Sequence, residues 1–335
     1  MPTALIAEDS VLSRKVIRRF LEEIDFKVVA EVDNGLDAVV KTQALKPDLV
    51  ILDVIMPKMD GITALEQIMS VSPTKVLILS SFGSKYANLA FSALERGAIA
   101  FIPKPSGMQA ATNEFKNDLQ TKAKACLAAK LVAGKYPPRS VRSLTSIEKP
   151  IQSVFRSQHL IILGGSTGAP KIMQEITSNL RTPLPPIVVI QHLPPGFSTT
   201  FATRLNRTSK LNVVEAQTGM SLSPNTIYVA PGGLHLVFQE DNHRIEICLY
   251  KGDRVNGVIP SLEPTIVSAS YHYEGNLTVI ILTGMGSDGL AGVRYAKQNG
   301  ATVIAQDEKS SIIYGMPKAI VDEGLADRVC NPKSI

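Results

Sequence analysis

The first residue that could do chemistry is Ser166, in "HLIILGGSTGAP" at 159–170. There an apolar run stops at two glycines, and a third glycine follows the serine. The stretch has neither G-x-x-x-x-G-K-[ST] nor G-x-G-x-x-G, so it matches neither common phosphate-cradling pattern. It does carry G-x-S-x-G through Gly164, Ser166 and Gly168, a turn that lifts a hydroxyl above a sheet edge. A serine needs a base to take its proton and an acid to orient that base. His192 closes the apolar run "PPIVVIQH", and Asp288 lies in the glycine-rich turn after "NLTVIILTG". Side chains at the carboxyl ends of neighbouring parallel strands converge on one crevice. Alone, His192 reads as a loop histidine and Asp288 as a helix N-cap; together with Ser166 they read as nucleophile, base and acid. Oxyanion donors would be backbone N–H groups near Ser166, with Met285 in "TGMGSDG" the natural candidate.

A second cluster is acidic. Glu8 and Asp9 follow the first strand-like run, and Asp53 ends the third. Three crowded carboxylates repel unless a cation holds them, and an oxygen-only set suits Mg²⁺. A carboxylate beside that ion can attack a phosphoryl donor to form an aspartyl phosphate. Ser80 and Lys104, at the ends of the fourth and fifth runs, reach the same rim and could hydrogen-bond and pair with phosphoryl oxygens.

These residues need a scaffold, and the chain alternates in the way that supplies one. Up to about residue 105, "TALIAED", "KVVAEV", "DLVILD", "KVLILSS" and "IAFIPKP" read as strands separated by helix-length segments. A fifth helix is expected over roughly 112–132. Residues 134–153 have the Pro, Ser and basic composition of a linker. The rhythm then resumes with "HLIILGG", "PPIVVIQH", "TIYVAPGGLHLVF", "NLTVIILTG" and "ATVIAQD", and "RIEICLY" is expected to complete a hairpin. The expectation is α/β with two doubly wound domains: a five-stranded parallel sheet, then a mostly parallel sheet with an antiparallel hairpin. The boundaries are placed at 1–120, a basic helix and linker at 121–153, and a catalytic domain at 154–335.

Bulk properties narrow the field. A chain of 335 residues suits two domains better than one core. The absence of Trp and an aromatic content of 5% argue against a base-stacking surface. No apolar run reaches the ~18–20 residues of a membrane span, and no leader pattern opens the chain, so a cytoplasmic protein is expected. Cys126, Cys248 and Cys330 lie far apart, without metal-ligand spacing, as in a reducing compartment. Residues 104–150 carry nine Lys and Arg against three Asp and Glu, which accounts for the whole net charge of +5. That charge reads as a solvated linker face, not a nucleic-acid surface.

"AEDS", "LDVIMPKMDG", "LSS" and "PKP" resemble the receiver domain of response regulators across residues 1–120. The resemblance implies that Asp53 is the phospho-acceptor. Glu8, Asp9, Asp53 and the backbone carbonyl of Ile55 would hold Mg²⁺, with Ser80 and Phe101 as switch residues and Lys104 as the lysine partner of the phosphoryl group. "GGSTGAP", "QHLPPGFSTTFATRLN", "YVAPGGLHL", "LTGMGSDGLAG" and "AQDEKSSIIYGMP" resemble the catalytic domain of the chemotaxis receptor methylesterase family. That implies Ser166 as nucleophile, His192 as base and Asp288 as its orienter, with Thr167 and Met285 contributing to the site and no cofactor for ester hydrolysis. The implied substrate is a methylated chemoreceptor cytoplasmic domain, the implied phosphodonor a histidine kinase, and receptor glutamines are a further implied target. Ala169, Glu263 and Leu290 depart from the usual pattern without touching the triad. The reading from another class is a response-regulator adaptor whose second domain binds receptor without turnover.

Overall fold

The computed structural model describes residues 1–81, 83–104, 112–131, 159–241, 244–273 and 276–335. The stretch expected to link the halves, 134–153, lies outside them.

The first half alternates β1 (Thr3–Ala7), α1 (Val11–Glu22), β2 (Lys27–Val32), α2 (Gly35–Leu45), β3 (Leu49–Asp53), α3 (Gly61–Val71), β4 (Lys75–Ser80), α4 (Ser84–Glu95), β5 (Ala100–Pro103) and α5 (Asn113–Ala128). Polar side chains start four of the five helices. Ser10, Asn34, Asp60 and Thr112 each accept a hydrogen bond from the backbone N–H three residues on. The strands pair in parallel in the order β2-β1-β3-β4-β5. Being parallel, the strands bring the carboxyl ends of β1, β3 and β5 to one edge of the sheet, with the strand-order reversal between β1 and β3.

The second half runs β6 (Leu160–Gly165), α6 (Ala169–Asn179), β7 (Ile187–Gln191), α7 (Ser198–Thr208), β8 (Asn212–Glu215), β9 (Thr226–Val229), β10 (His235–Asp241), β11 (Arg244–Tyr250), α8 (Leu262–His272), β12 (Leu277–Ile281), α9 (Leu290–Gln298), β13 (Thr302–Gln306), α10 (Met316–Asp322) and β14 (Arg328–Cys330). Seven strands form one parallel sheet in the order β14-β13-β12-β6-β7-β9-β8. The apolar runs of β6, β7 and β12 fit strands covered on both faces. The run "TIYVAPGGLHLVF" is two strands. Its first part joins the large sheet as β9, and its second, β10, pairs only with β11 in a separate antiparallel hairpin.

The two halves share one apolar cluster that runs from Leu52 and Phe91 of the first into Leu163, Phe197 and Phe201 of the second. The Phe101 and Phe197 rings stack at 4.9 Å and 19°, and Phe91 and Phe201 at 5.4 Å and 18°. Lys130 joins from the end of α5, its N–H donating to Ile312 O at 3.0 Å and its Nζ to Glu308 O at 2.6 Å. Among the described residues no helix is long and apolar enough to cross a membrane.

Candidate active site

Ser166 follows the last residue of β6, and hydrogen bonds to its backbone from both sides of that strand hold it. Its N–H donates to Thr283 O at 3.0 Å, and its carbonyl accepts from the buried Gln191 Nε2 at 3.0 Å. Gly168 then turns the chain into α6 at φ 84°, a left-handed conformation that costs other residues, and Pro170 sits in the helix's first turn. Gly284, after β12, passes so near that a Cβ there would stand 2.9 Å from Ser166 Cβ. The Ser166 turn is therefore wedged between two strand ends.

His192 follows β7, next to β6, and its Nε2 lies 2.7 Å from Asp288 Oδ2. Asp288 follows β12, the strand on the other side of β6. Its buried carboxylate also accepts from Ser261 Oγ at 2.6 Å, Leu262 N–H at 2.9 Å and Asn256 Nδ2 at 3.2 Å. Burial alone would raise its pKa. The hydrogen bond and charge of His192, then the Leu262 and Ser261 donors, outweigh burial and hold it below the usual aspartate value. With Asp288 on Nε2, Nδ1 is the nitrogen left to serve as base. Asp288 does not cap α9. That role falls to Glu263, whose carboxylate accepts from Ala291 N–H at 3.1 Å and from Gly292 N–H. Glu263, one of the departures from the usual pattern, thus serves a helix end.

Ser166, Thr167, Gln191 and His192 line one opening, and Phe101 and Lys122 of the first half line its other wall. Thr167 is half-buried and Met285 exposed. Among the described residues their N–H groups donate to no protein acceptor, which leaves two donors near the Ser166 turn.

In the first half, ligand oxygens of Glu8, Asp9 and Asp53 lie within 4.8 Å of one another. Lys104 Nζ donates to Asp53 Oδ2 at 2.8 Å and to Glu8 Oε1 at 3.0 Å. Burial, then the Asp53 charge, pushes the Glu8 carboxyl up to about 7 despite Lys104. Burial also raises Asp53, against the pull of Lys104. Glu8 Oε2 is buried and accepts no hydrogen bond, although Lys104 Nζ stands 2.9 Å away. An oxygen-only set with more negative charge than one lysine can balance fits a small divalent cation such as Mg²⁺. Ile55 is exposed just past β3, two residues beyond Asp53. Ser80 is fully buried, and its hydroxyl donates to Tyr86 O of α4 at 3.1 Å, not to the acidic cluster. Phe101 is buried against Phe197.

Ser166, His192 and Asp288 thus gather beyond one edge of the large sheet, and Glu8, Asp9, Asp53 and Lys104 beyond one edge of the first. Ser80, expected at that rim, bonds Tyr86 instead. Three supporting residues were not foreseen. Ser261 and Asn256 orient Asp288, and Gln191 pins the Ser166 turn. Gln191 immediately precedes His192 and was legible as a buried amide in an apolar strand. Ser261 and Asn256 arrive on a loop that carries no pattern of its own.

Comparison with known proteins agrees with this division. A family model described as CheB methylesterase matches residues 161–335, and one described as response regulator receiver domain matches residues 4–116. A Thermotoga maritima protein named protein-glutamate methylesterase/protein-glutamine glutaminase is 37% identical over 328 residues, covering 97% of this chain and 94% of its own. One from Archaeoglobus fulgidus with the same name is 35% identical, covering 96% and 92%. The crystal structure of the Thermotoga maritima CheB methylesterase catalytic domain matches with a TM-score of 0.51 at 40% identity, over 52% of this chain and 93% of that one. With the Ser166, His192 and Asp288 strand ends in one parallel sheet behind a receiver-type sheet, the chain belongs to the CheB methylesterase family.

Proposed function

We propose that this chain is a protein-glutamate methylesterase, with protein-glutamine glutaminase activity at the same site, gated by phosphorylation of its receiver half. The observation that carries the reading is the 2.7 Å His192–Asp288 pair at the opening that Ser166 lines. Ser166 Oγ attacks the side-chain carbonyl carbon of a methyl-esterified glutamate as His192 Nδ1 takes the hydroxyl proton. The oxyanion is held by the Thr167 and Met285 N–H groups. His192 returns the proton to the departing methoxide, giving methanol and an acyl-serine. A water then loses a proton to His192 and attacks the acyl carbon, and Ser166 leaves reprotonated. Glutamate is the product. From glutamine, ammonia leaves in place of methanol.

In the receiver half Asp53 takes a phosphoryl group from a histidine kinase as a mixed anhydride, and Lys104 pairs with the transferred oxygens. Mg²⁺ held by Glu8, Asp9, Asp53 and the Ile55 carbonyl would neutralise charge on that group. Ser80 then turns from Tyr86 toward the phosphoryl oxygens, Phe101 follows inward, and the face against the second domain changes. The division proposed is 1–120 for the receiver, 121–153 for the helix end and linker, and 154–335 for the catalytic domain. The substrate proposed is the cytoplasmic domain of a methylated chemoreceptor. Methanol release from methylated receptor, with and without acetyl phosphate, tests the reading. Release should depend on Ser166 and rise with the phosphodonor; a wild-type chain that binds receptor and releases none is the silent adaptor.

A further inference from the structure

Among the described residues every side-chain ion pair between the halves has the same polarity. Arg204 of α7 meets Glu95 at the end of α4, and Arg254, in the loop after β11, meets Glu114 and, at 3.8 Å, Asp118 of α5. The arginines always belong to the catalytic half and the carboxylates to the receiver. Each arginine is tied to the surroundings of the Ser166 opening through its neighbours. Arg204 and Glu95 line a depression that shares Leu94 and Pro170 with that opening. Two residues beyond Arg254, Asn256 donates to Asp288.

We propose that Arg204 and Arg254 form a docking surface for an acidic segment of the protein that carries the ester, and that Glu95, Glu114 and Asp118 occupy it in the closed chain as stand-ins for that segment. This deepens the esterase reading and rests on it. The reaction itself supplies the chemistry, because each turnover turns a neutral ester or amide into a carboxylate. A segment with several modifiable positions therefore grows more acidic as it is processed. Helix α5 presents the stand-in pattern: Glu114, Asp118 and Lys122 fall one turn apart on one face. The two carboxylates meet Arg254, and Lys122 lies in the wall of the opening, where an ester-bearing side chain one turn further along a substrate helix would enter. Its ammonium is turned back to Phe101 O at 2.7 Å, so it fills the position without offering a group to Ser166.

The test uses the full chain with acetyl phosphate and two synthetic peptides. Each carries one glutamate γ-methyl ester, flanked one turn away on both sides by glutamates in one peptide and by alanines in the other. Methanol release should favour the glutamate-flanked peptide by about fivefold in kcat/KM, the scale of partly exposed ion pairs. The preference should fade as salt is raised. Arg254→Gln and Arg204→Gln should each shrink the preference, together abolish it, and Arg254→Lys should keep part of it. Without phosphodonor, the Glu95→Gln/Glu114→Gln/Asp118→Asn chain should turn over both peptides faster than wild type. Equal turnover of the two peptides by wild type, or a preference that survives loss of both arginines, would overturn the proposal and leave the esterase intact. A wild-type chain that hydrolyses neither peptide would overturn the esterase reading itself.

Discussion

Phe101, on the last strand of the receiver sheet, stacks its ring on Phe197, beside the first turn of α7, at 4.9 Å and 19°. Phe91 meets the other side of the pair, edge-on to Phe101 at 5.7 Å and stacked on Phe201. The residue proposed to move inward on phosphorylation is thus also part of the seal between the halves.

Phe101→Leu should therefore loosen the closed form without phosphate. Aromatic pairs contribute ~0.5–1.5 kcal/mol beyond their buried area, so unphosphorylated methanol release should rise about two- to tenfold. A fragment of residues 154–335 should outpace the unphosphorylated full chain and ignore acetyl phosphate. A fragment slower than the full chain under those conditions would make the receiver an activator and end this account of the interface.

The triad variants should be graded. Ser166→Ala should lose all measurable methanol release while its circular dichroism spectrum stays unchanged. His192→Ala should lose nearly as much, because what remains rests on oxyanion donors alone. Ser261→Ala removes one donor from Asp288 and leaves His192 in place, so a loss of about tenfold in kcat is expected. Full activity in Ser166→Ala would show that another residue attacks the ester.

The Asp288 network also makes a statement about stability. Its folded pKa is depressed, so its contribution is present above the unfolded value of 3.8 and is lost as pH falls through the lower, folded value. Asp288→Asn should cost about 1–3 kcal/mol near neutrality by leaving buried donors without a charged acceptor. The melting-temperature gap between wild type and variant should narrow as pH drops below 3.8, and a gap constant down to pH 3 would contradict the depressed pKa.

Asp53→Asn should block labelling by acetyl phosphate, and chelation of divalent cations should do the same to wild type. Lys104→Ala should leave two buried carboxyls without their cation and weaken both labelling and its effect on esterase rate. The readouts are a base-labile, acid-stable phosphoryl group and methanol release. Incorporation of such a group into Asp53→Asn would move the acceptor elsewhere.

What could be read without coordinates followed the strand ends. Ser166, His192, Glu8 and Asp53 stand at or next to the end of an apolar run and Asp288 in the glycine-rich turn after one, and parallel topology brings such ends together. Edge strands were harder. β8 and β14 have four and three residues, too few to show a period, and the structure adds them at the two margins of the large sheet. Asn256, Ser261 and Arg254 were silent for another reason: they lie in the segment between β11 and α8, where partners rather than local preference set the path. Phe197 belonged to a legible motif, but its stacking depends on how two independent sheets meet, which no pattern within either sheet encodes.

The placement of β6 between β7 and β12 has a consequence for how this enzyme can diversify. Ser166 and His192 directly follow two adjacent strands, so their separation is set by the ~4.8 Å ladder spacing of a sheet, while Asp288, past the end of β12, is held in place by His192, Ser261, Leu262 and Asn256. Among the described residues the loops after β8 and β9 make none of the hydrogen bonds that hold Ser166, His192 and Asp288, so they can change length or charge without moving those residues relative to one another. Lineages can retarget such a protein to new substrates by editing its rim while the chemistry travels along unaltered, like a tool head on interchangeable handles.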